Sequence, residues 1–365
     1  MNPNELSPEL KTIVMEDLKT VAAEPLLSVI VPARNEENVL GACLASLVRQ
    51  SEPGFALGEQ WELIVVNDDS ADGTRAIAEG FTGVVVMDAP PLDLSGAGAL
   101  SGKSNACWAG AQRARGQRLL FTDADTLHEM GDLSRALHEM EKYKATLLSY
   151  SPRQIVTEFW QRAVMPLVFS ELASVYPMKK VNDPETSLAA ANGQFLMVER
   201  DAYFLVGGHQ ALGATVLEDV ALARNIKSGE RTIRFRYAPD ALATRMYRST
   251  AEMMEGWTKN LALLFPRPIY LAAWRVLDVL LFFGLPGLAV GMYWLQPWQR
   301  GVLWVLWLRT LWRFYSRVAR SNFPASDVVI SILGVPLFVY LLVQSVVAHK
   351  VKKSVAWKGR RYAGG

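Results

Sequence analysis

The sequence predicts an α/β domain with a mostly parallel sheet, followed by an α-helical membrane region. In the first 150 residues, apolar β-branched runs alternate with segments of helical periodicity. Near the C-terminus, two stretches, 279–299 and 328–348, carry no charge. Each is long enough to cross a hydrocarbon core of roughly 30 Å as a helix.

Four strands are predicted to open the sheet, because each is a short apolar run bounded by turn residues. They lie at 26–31, 61–66, 84–87 and 118–122, with helical patterns at 37–49, from 72 and at 103–114 between them. Strands that alternate with such helices predict parallel βαβ units with right-handed crossovers. Further elements at 145–150, 192–198, 217–227 and 232–237 complete a domain predicted for 26–268.

The remaining segments are assigned by charge. The polar segment 1–25 has no apolar stretch typical of a secretion signal, so none is expected. The membrane region, 269–365, is predicted to cross the bilayer at about 276–297 and 327–348. Its basic tail, 349–365, predicts a cytoplasmic end, and two crossings put the α/β domain on that same side.

Between the two predicted spans, the segment 301–320 has arginines at helical spacing on one face: Arg309, Arg313, Arg317 and Arg320. Because four arginines in mid-bilayer are costly, this segment is predicted to lie in the interface, with its arginines at headgroup level. Arg275 and Asp278 are spaced to pair at the start of the first span. The segment 155–176 is apolar enough for either a core helix or an interfacial helix.

The charge distribution favours a membrane partner. From position 269 onward there are 12 Lys and Arg against 2 acidic residues, so the basic excess lies beside the apolar runs. This pattern indicates anionic lipid headgroups rather than nucleic acid. The two cysteines, Cys43 and Cys107, are far apart and lack zinc-ligand spacing, so both are predicted to be core residues.

Two carboxylates follow the fourth predicted strand. Asp123 and Asp125 come directly after the apolar run 119–121, so they are expected at the carboxyl edge of the sheet, where open α/β sheets bind ligands. Oxygen ligands of this kind suit Mg²⁺ or Mn²⁺ that is shared with substrate phosphates. Alone, an Asp-x-Asp pair is a weak signal.

Other polar motifs also end predicted strands or begin predicted helices. They are Pro32-Ala33-Arg34-Asn35-Glu36-Glu37, then Asn67-Asp68-Asp69-Ser70 with Asp72-Gly73-Thr74, then Gly102-Lys103, and finally Glu218-Asp219. Each alone is explained by turns and helix caps, Asp72 being a good N-cap. Together and in this order, they indicate one ligand site.

This set of motifs, with Asn192-Gly193, resembles family 2 of the inverting, nucleotide-sugar-dependent glycosyltransferases, which have the GT-A fold. The resemblance extends over about 26–237. The attached membrane region and the closing segment 357–362 look like the lipid-directed branch, which includes ceramide, carotenoid-acid and hopanoid-associated glycosyltransferases.

The resemblance implies a role for each motif. Pro32, Ala33, Arg34, Glu36, Asp68 and Asp69 would bind the nucleoside of a UDP-sugar, Lys103 the diphosphate, Asp123 the ribose or metal, and Asp125 the Mg²⁺ or Mn²⁺. Asp219, beside Glu218, would act as the base that deprotonates the acceptor in a single inverting displacement. Asn192 and Gly193 would lie near the acceptor or diphosphate.

One departure from the family pattern affects the acceptor side. Relatives carry Gln/Arg-x-x-Arg-Trp just before the membrane, where this chain has Glu255-Gly256-Trp257-Thr258-Lys259. Trp257 and Lys259 could substitute for that motif, or Trp257 could anchor the chain at the membrane interface.

The resemblance therefore predicts a membrane-anchored enzyme that moves one hexose from a UDP-sugar to a lipid such as a carotenoid acid, hopanoid or sphingolipid. Two alternatives remain open at this point. One is a polyprenyl-phosphate glycosyltransferase of cell-envelope synthesis, and the other is a nucleotide-sugar-binding membrane protein without turnover.

Overall fold

The computed structural model describes residues 24–92, 100–351, 354–357 and 360–363. Most of the predicted N-terminal segment and three lysines of the basic tail, Lys352, Lys353 and Lys358, lie outside the described residues. The strands are β1 (Leu27–Ala33), β2 (Trp61–Asn67), β3 (Val84–Asp88), β4 (Arg118–Phe121), β5 (Thr126–His128), β6 (Leu147–Ser151), β7 (Arg153–Gln154), β8 (Leu196–Glu199), β9 (Ile233–Tyr237), β10 (Leu242–Thr244), β11 (Ser354–Trp357) and β12 (Arg360–Ala363).

The α-helices follow the same chain order, and two short 3₁₀ helices, Gly208–Leu212 and Ala319–Ser321, accompany them. They are α1 (Leu40–Val48), α2 (Thr74–Glu79), α3 (Gly102–Arg113), α4 (Asp132–Tyr143), α5 (Phe159–Val175), α6 (Met178–Val181), α7 (Arg200–Leu205), α8 (Glu218–Ser228), α9 (Thr250–Leu264), α10 (Pro268–Gly291), α11 (Pro297–Val318) and α12 (Ala325–Lys350).

A seven-stranded sheet forms the centre of the α/β domain, in the order β3-β2-β1-β4-β8-β6-β9. Its pairs are parallel except those that β8 makes with β4 and β6. The strands β1 and β2 are almost entirely buried, because helices cover both faces of the sheet. The predicted fold class, a mostly parallel α/β sheet followed by a helical region, is confirmed.

A second, three-stranded sheet lies beside the first, in the order β5-β10-β7. It joins the segment that follows Asp125 to the segment that precedes α9, because β5 pairs antiparallel with β10. Residues distant in sequence are thereby brought to the same edge of the domain. Cys43 and Cys107 are both buried and unpaired, as predicted.

The C-terminal helices differ from the predicted arrangement. Among the described residues, two helices are long and apolar enough to cross a membrane, α10 and α12. The first begins at 268 and ends at 291, several residues before the predicted span of 276–297. Arg275 pairs with Asp278 at 2.6 Å, as predicted.

The helix α11 was predicted to lie in the interface with its arginines at headgroup level, and two of these arginines pair with carboxylates of neighbouring helices. Arg313 and Arg317 each lie 3.0 Å from a carboxylate oxygen of Asp278 on α10. Arg317 also lies 3.3 Å from Glu171 of α5. The local sequence does not reveal these ion pairs, because the buried carboxylates lie on other helices.

The segment 155–176 contains a core helix rather than a free interfacial one. Most side chains of α5 between Ala163 and Glu171 are buried, and they pack on α9 and α12 in one hydrophobic cluster. Two aromatic residues at its beginning, Phe159 and Trp160, remain exposed. The helix therefore joins the α/β domain to the C-terminal helices.

Candidate active site

A cleft of about 300 Å³ lies at the carboxyl ends of β1 and β4. These two strands are neighbours at the point where the chain order of the sheet reverses, which is where doubly wound sheets bind ligands. Thirteen residues predicted from the sequence line it, namely Pro32, Ala33, Arg34, Glu36, Asp68, Lys103, Asp123, Asp125, Asn192, Gly193, Glu218, Asp219 and Lys259.

Asp69 does not lie in the cleft. Its side chain is 89% exposed, and its backbone has a left-handed φ of 54° that turns the loop after β2 outward. Arg34 fixes this loop, because its guanidinium donates to the Asp68 carbonyl at 2.7 Å and the Asp69 carbonyl at 3.2 Å. Of the two adjacent carboxylates, only Asp68 is therefore in position to meet a ligand.

Lys103 holds two acidic residues together in the floor of the cleft. Its ammonium lies 2.7 Å from Asp123 Oδ1 and 3.2 Å from Glu218 Oε1. The residue comes from the first turn of α3, and Ser101 caps this helix by accepting from the backbone N–H of Ser104. A cation thus lies at the helix N-terminus that faces the cleft, where a phosphate also binds well.

Asp219 is held at the start of α8 by backbone donors. The N–H of Gly193 donates to one carboxylate oxygen at 2.8 Å, and the N–H of Val220 donates to the other at 2.7 Å. A side chain at position 193 would meet Lys103, since a Cβ there would lie 2.9 Å from Nζ. Glycine at 193 therefore lets the backbone, Lys103 and Asp219 approach one another closely.

The two adjacent carboxylates on α8 differ in acidity. Burial opposes the charge of Glu218, but Lys103 and Lys259 outweigh it and hold the pKa of Glu218 below its usual value. Burial raises the pKa of Asp219 to about 6, and the neighbouring charge of Glu218 adds to the rise. A carboxylate with a pKa near 6 is a suitable general base at neutral pH.

The donor set of the cleft fits a hard divalent cation. Asp123 and Asp125 both line it and offer only oxygen ligands, as Mg²⁺ and Mn²⁺ prefer. Within the described ranges, three or more His, Cys, Asp or Glu do not converge to form a closed site. A cation held here would therefore take its other ligands from a substrate's phosphates and from water, as is common for Mg²⁺.

A buried hydrogen-bond network lies beneath the two carboxylates. His128 on β5 binds Asp132 through Nδ1 at 2.7 Å, and its Nε2 lies 3.1 Å from the hydroxyls of both Thr122 and Thr126. These threonines flank Asp123 and Asp125 in sequence. Sequence reasoning gave His128 no role, because a single histidine outside any motif carries no functional signal.

An apolar pocket of about 150 Å³ opens next to the cleft. Side chains of α5 and α9 form much of its wall, including Phe169, Leu172, Trp257 and Leu264, together with Tyr176 directly after α5. Asp219 and Asn192 line both cavities. The carboxylate of Asp219 is therefore accessible from a polar side and from an apolar side.

Trp257 belongs to this apolar wall and does not anchor the chain at a membrane interface. It is only 3% exposed, and its indole N–H donates to Met165 Sδ at 3.3 Å. Lys259, two residues further along α9 and therefore on its opposite face, lines the polar cleft instead. Trp257 and Lys259 thus face different cavities and do not form a single binding site for the diphosphate and acceptor.

Sequence reasoning missed Arg245 and Arg248, which lie between β10 and α9 and line the cleft. They have the Arg-x-x-Arg spacing that the resemblance led us to expect, but ten residues before the segment that was assigned to it. That spacing was the signal that could have found them. His209, in contrast, is buried against the Tyr203 hydroxyl at 2.8 Å and does not line the cleft.

Known proteins are similar to this chain in sequence. Residues 28–203 match the glycosyl transferase family 2. The 4,4'-diaponeurosporenoate glycosyltransferase of Staphylococcus aureus is 29% identical over 240 residues, which cover 65% of this chain and 60% of that protein. The chain therefore matches less than two thirds of the length of this relative.

Solved structures include similar chains at low sequence identity. The mannosyltransferase PcManGT from Pyrobaculum calidifontis, in complex with GDP-Man and Mn²⁺, is 16% identical with a TM-score of 0.49, covering 90% of this chain and 88% of that chain. S. aureus TarS 1–349, in complex with UDP-GlcNAc, is 15% identical with a TM-score of 0.42, covering 93% and 97%. With the sequence match and the geometry of the cleft, residues 28–203 are identified as a glycosyltransferase family 2 domain.

Proposed function

We propose that this protein transfers a hexose from a UDP-sugar to a lipid acceptor, with inversion at the anomeric carbon. The observation that carries the proposal is the position of Asp219, whose carboxylate lies where the polar cleft meets the apolar pocket. The cleft suits a charged donor and the pocket suits a hydrocarbon chain. A reaction between a charged donor and an apolar acceptor needs a catalytic group that both cavities share, and Asp219 is such a group.

Donor binding follows from the charges of the cleft. Pro32 and Ala33 would contact the base, with Asp68 and Glu36 towards the ribose, and Lys103, Arg245 and Arg248 would offset the charge of the diphosphate. Asp123 and Asp125 would hold Mg²⁺ or Mn²⁺. When bound, the metal neutralises charge on the departing diphosphate.

The transfer itself needs one base. The acceptor oxygen attacks the anomeric carbon from the face opposite the diphosphate, while Asp219 takes the acceptor's proton. The bond from the anomeric carbon to the diphosphate oxygen breaks, and the diphosphate leaves with the electron pair. A single displacement inverts the centre, so an α-linked donor yields a β-glycoside.

The apolar pocket supports a lipid with a hydroxyl or carboxyl end, of which a carotenoid acid is one example. The similarity to diaponeurosporenoate glycosyltransferase agrees with this class. We propose that the α/β domain, 26–268, works on the cytoplasmic side of a cell membrane to which 269–365 attach it. The uneven charge of the sequence supports this orientation.

The test is transfer of label from radiolabelled UDP-glucose to extracted membrane lipids by the purified full-length protein with Mn²⁺. The proposal expects label in the lipid phase and release of UDP, both lost in Asp219→Asn. Full transfer by that variant would show that the base is wrongly assigned. UDP-sugar binding without UDP release, across several sugars and lipids, would favour a protein without turnover.

A further inference from the structure

The two ends of α12 are both bound to the α/β domain. Near its start, Asp327 pairs with Arg162 of α5 at 2.7 Å. Near its end, Ser345 accepts from the backbone N–H of Ala262 at 2.8 Å, and His349 bonds to the Lys259 carbonyl at 2.7 Å. Lys259 on α9 lines the polar cleft and α5 lines the apolar pocket, so both ends of this helix are held by helices that also form the candidate site.

The middle of α12 follows the same surface. Gly334 packs against the backbone of Ala163 on α5, where a Cβ would overlap the Ala163 carbonyl. A helix that contacts the domain at its start, middle and end cannot also lead away from it across a bilayer. The helix is ~39 Å long, at ~1.5 Å per residue, and it lies along the domain over this length.

The outer face of α12 is nevertheless apolar. Val329, Leu333, Tyr340 and Val343 recur at three-, four- and seven-residue intervals and are all exposed. An exposed apolar stripe on a helix bound lengthwise to a domain is typical of a surface that lies on a membrane.

The neighbouring helices α10 and α11 form an antiparallel hairpin. The indole N–H of Trp307 donates to the Phe282 carbonyl at 2.9 Å, and nearer the turn Arg300 donates to the Tyr293 carbonyl at 3.0 Å. At the opposite end of the hairpin, Arg313 meets Asp278. The chain therefore enters and leaves this hairpin at the same end.

That end of the hairpin is joined to the domain by a group of charged residues, all buried or nearly so except the half-exposed Arg313. Asp278 accepts from Arg275, Arg313 and Arg317, and Glu171 of α5 lies 3.5 Å from Arg275 and 3.3 Å from Arg317. Glu171 belongs to α5, a helix that lines the apolar pocket. This group of ion pairs, which we call the ionic group, therefore lies beside the α/β domain.

Beyond the ionic group, the hairpin is apolar and uncovered. Residues 279–308 include one charged residue, Arg300. Large apolar side chains along both arms are exposed, among them Leu280, Phe283, Val290, Val305 and Leu308, and three aromatic residues, Tyr293, Trp294 and Trp298, surround the turn. From Asp278 to Gly291 an arm extends ~20 Å, less than the hydrocarbon core of ~30 Å.

We infer that the chain attaches to the membrane from one side only: the α10–α11 hairpin dips into the bilayer and returns, and α12 lies along its surface. The partner is a lipid bilayer, because the exposed arms are apolar, nearly uncharged and flanked at their base by Arg309 and Arg320. This replaces the two crossings predicted from sequence. It rests on the membrane association proposed above and is independent of sugar transfer.

The experiment uses the full chain in cell membranes and single cysteines introduced at exposed positions. Asp201→Cys marks the side of the α/β domain, Ala325→Cys and Lys350→Cys mark the two ends of α12, and Tyr293→Cys marks the hairpin turn. An impermeant maleimide is applied to intact spheroplasts and to inside-out vesicles. The unmodified chain is the control, because Cys43 and Cys107 are buried.

The inference expects positions 325 and 350 to react on the same face as position 201, and position 293 to react on neither face until detergent is added. Reaction of 325 and 350 on opposite faces would overturn it, as would reaction of 293 on the face opposite 201. A chain that does not sediment with membranes contradicts the membrane association as well. Transfer to a detergent-dispersed acceptor tests the enzymatic proposal separately.

Discussion

The polar cleft and the apolar pocket share the Asp219 carboxylate and differ in almost everything else. The cleft is lined by acidic and basic side chains from strand ends and helix starts, such as Asp123 and Lys103. The wall of the pocket consists mainly of aromatic and aliphatic side chains, such as Phe169 and Leu264. The difference indicates that charge selects one substrate and apolar shape the other.

The largest effect is expected where the two cavities meet. Replacing Asp219 by Asn keeps the size of the side chain but removes the base, so kcat should fall by a factor on the order of 10² to 10⁴. Binding of UDP, measured by calorimetry, should remain. Asp201→Asn, at an exposed position in α7, is the matched control and should behave as the wild type.

A smaller effect is expected beneath the cleft. His128→Ala removes one hydrogen-bond partner of both Thr122 and Thr126, so affinity for Mn²⁺ in the presence of UDP should fall by about 10- to 100-fold, the usual cost of losing an outer-shell contact. Titration followed by the electron paramagnetic resonance of free Mn²⁺ measures this. Partial recovery in His128→Gln and no change in His138→Ala, on the exposed side of α4, are expected; unchanged affinity in His128→Ala would contradict the positioning role.

The pocket can be altered without touching the cleft. Ala191 lines the apolar pocket only, and a leucine there would displace about two methylenes of a bound lipid, or ~1.6 kcal/mol. The KM for lipid should therefore rise roughly tenfold, with the KM for the UDP-sugar unchanged. Ala76→Leu, on the exposed side of α2, is the control. An equal rise in both KM values would mean that the pocket does not distinguish the substrates.

The smallest effect is expected from lowering the pH of the assay. With the pKa of Asp219 at about 6, the carboxylate is the active form, so kcat/KM should be level above pH 7 and fall as the pH drops through 6. At pH 5, about a tenth of the base remains, so about tenfold is lost. A profile that stays level down to pH 5 with a hydroxyl acceptor would contradict the assigned base.

Sequence reasoning predicted the cleft better than the pocket, because the cleft residues follow local rules. Strand ends after β1 and β4 bring Pro32 and Asp123 to one edge whatever the details of packing. Asp72, in contrast, belongs to one of the polar motifs but has a local structural role. It accepts from the backbone N–H groups of Thr74 at 3.0 Å and Glu37 at 3.2 Å, but the N-cap of α2 is Gly73, so Asp72 stabilises the turn before the helix rather than acting as the predicted N-cap.

The features that the sequence did not predict depend on contacts between distant elements. The apolar pocket brings α5 together with α9, which lie some ninety positions apart, and Arg245 reaches the cleft only because β10 pairs with β5. Likewise, Arg313 and Arg317 were assigned to lipid headgroups since their partner, Asp278, lies on another helix. Periodicity describes one element at a time and carries no information about such pairs.

The central claim is that a charged donor and an apolar acceptor occupy adjoining cavities at the same time. A photoactivatable long-chain lipid acceptor, cross-linked with and without saturating UDP and Mn²⁺ and mapped by mass spectrometry, tests this most directly. The account predicts cross-links to α5 and α9 near Leu172 and Leu264 that persist when UDP is bound. Cross-links elsewhere, or their loss on adding UDP, would contradict it.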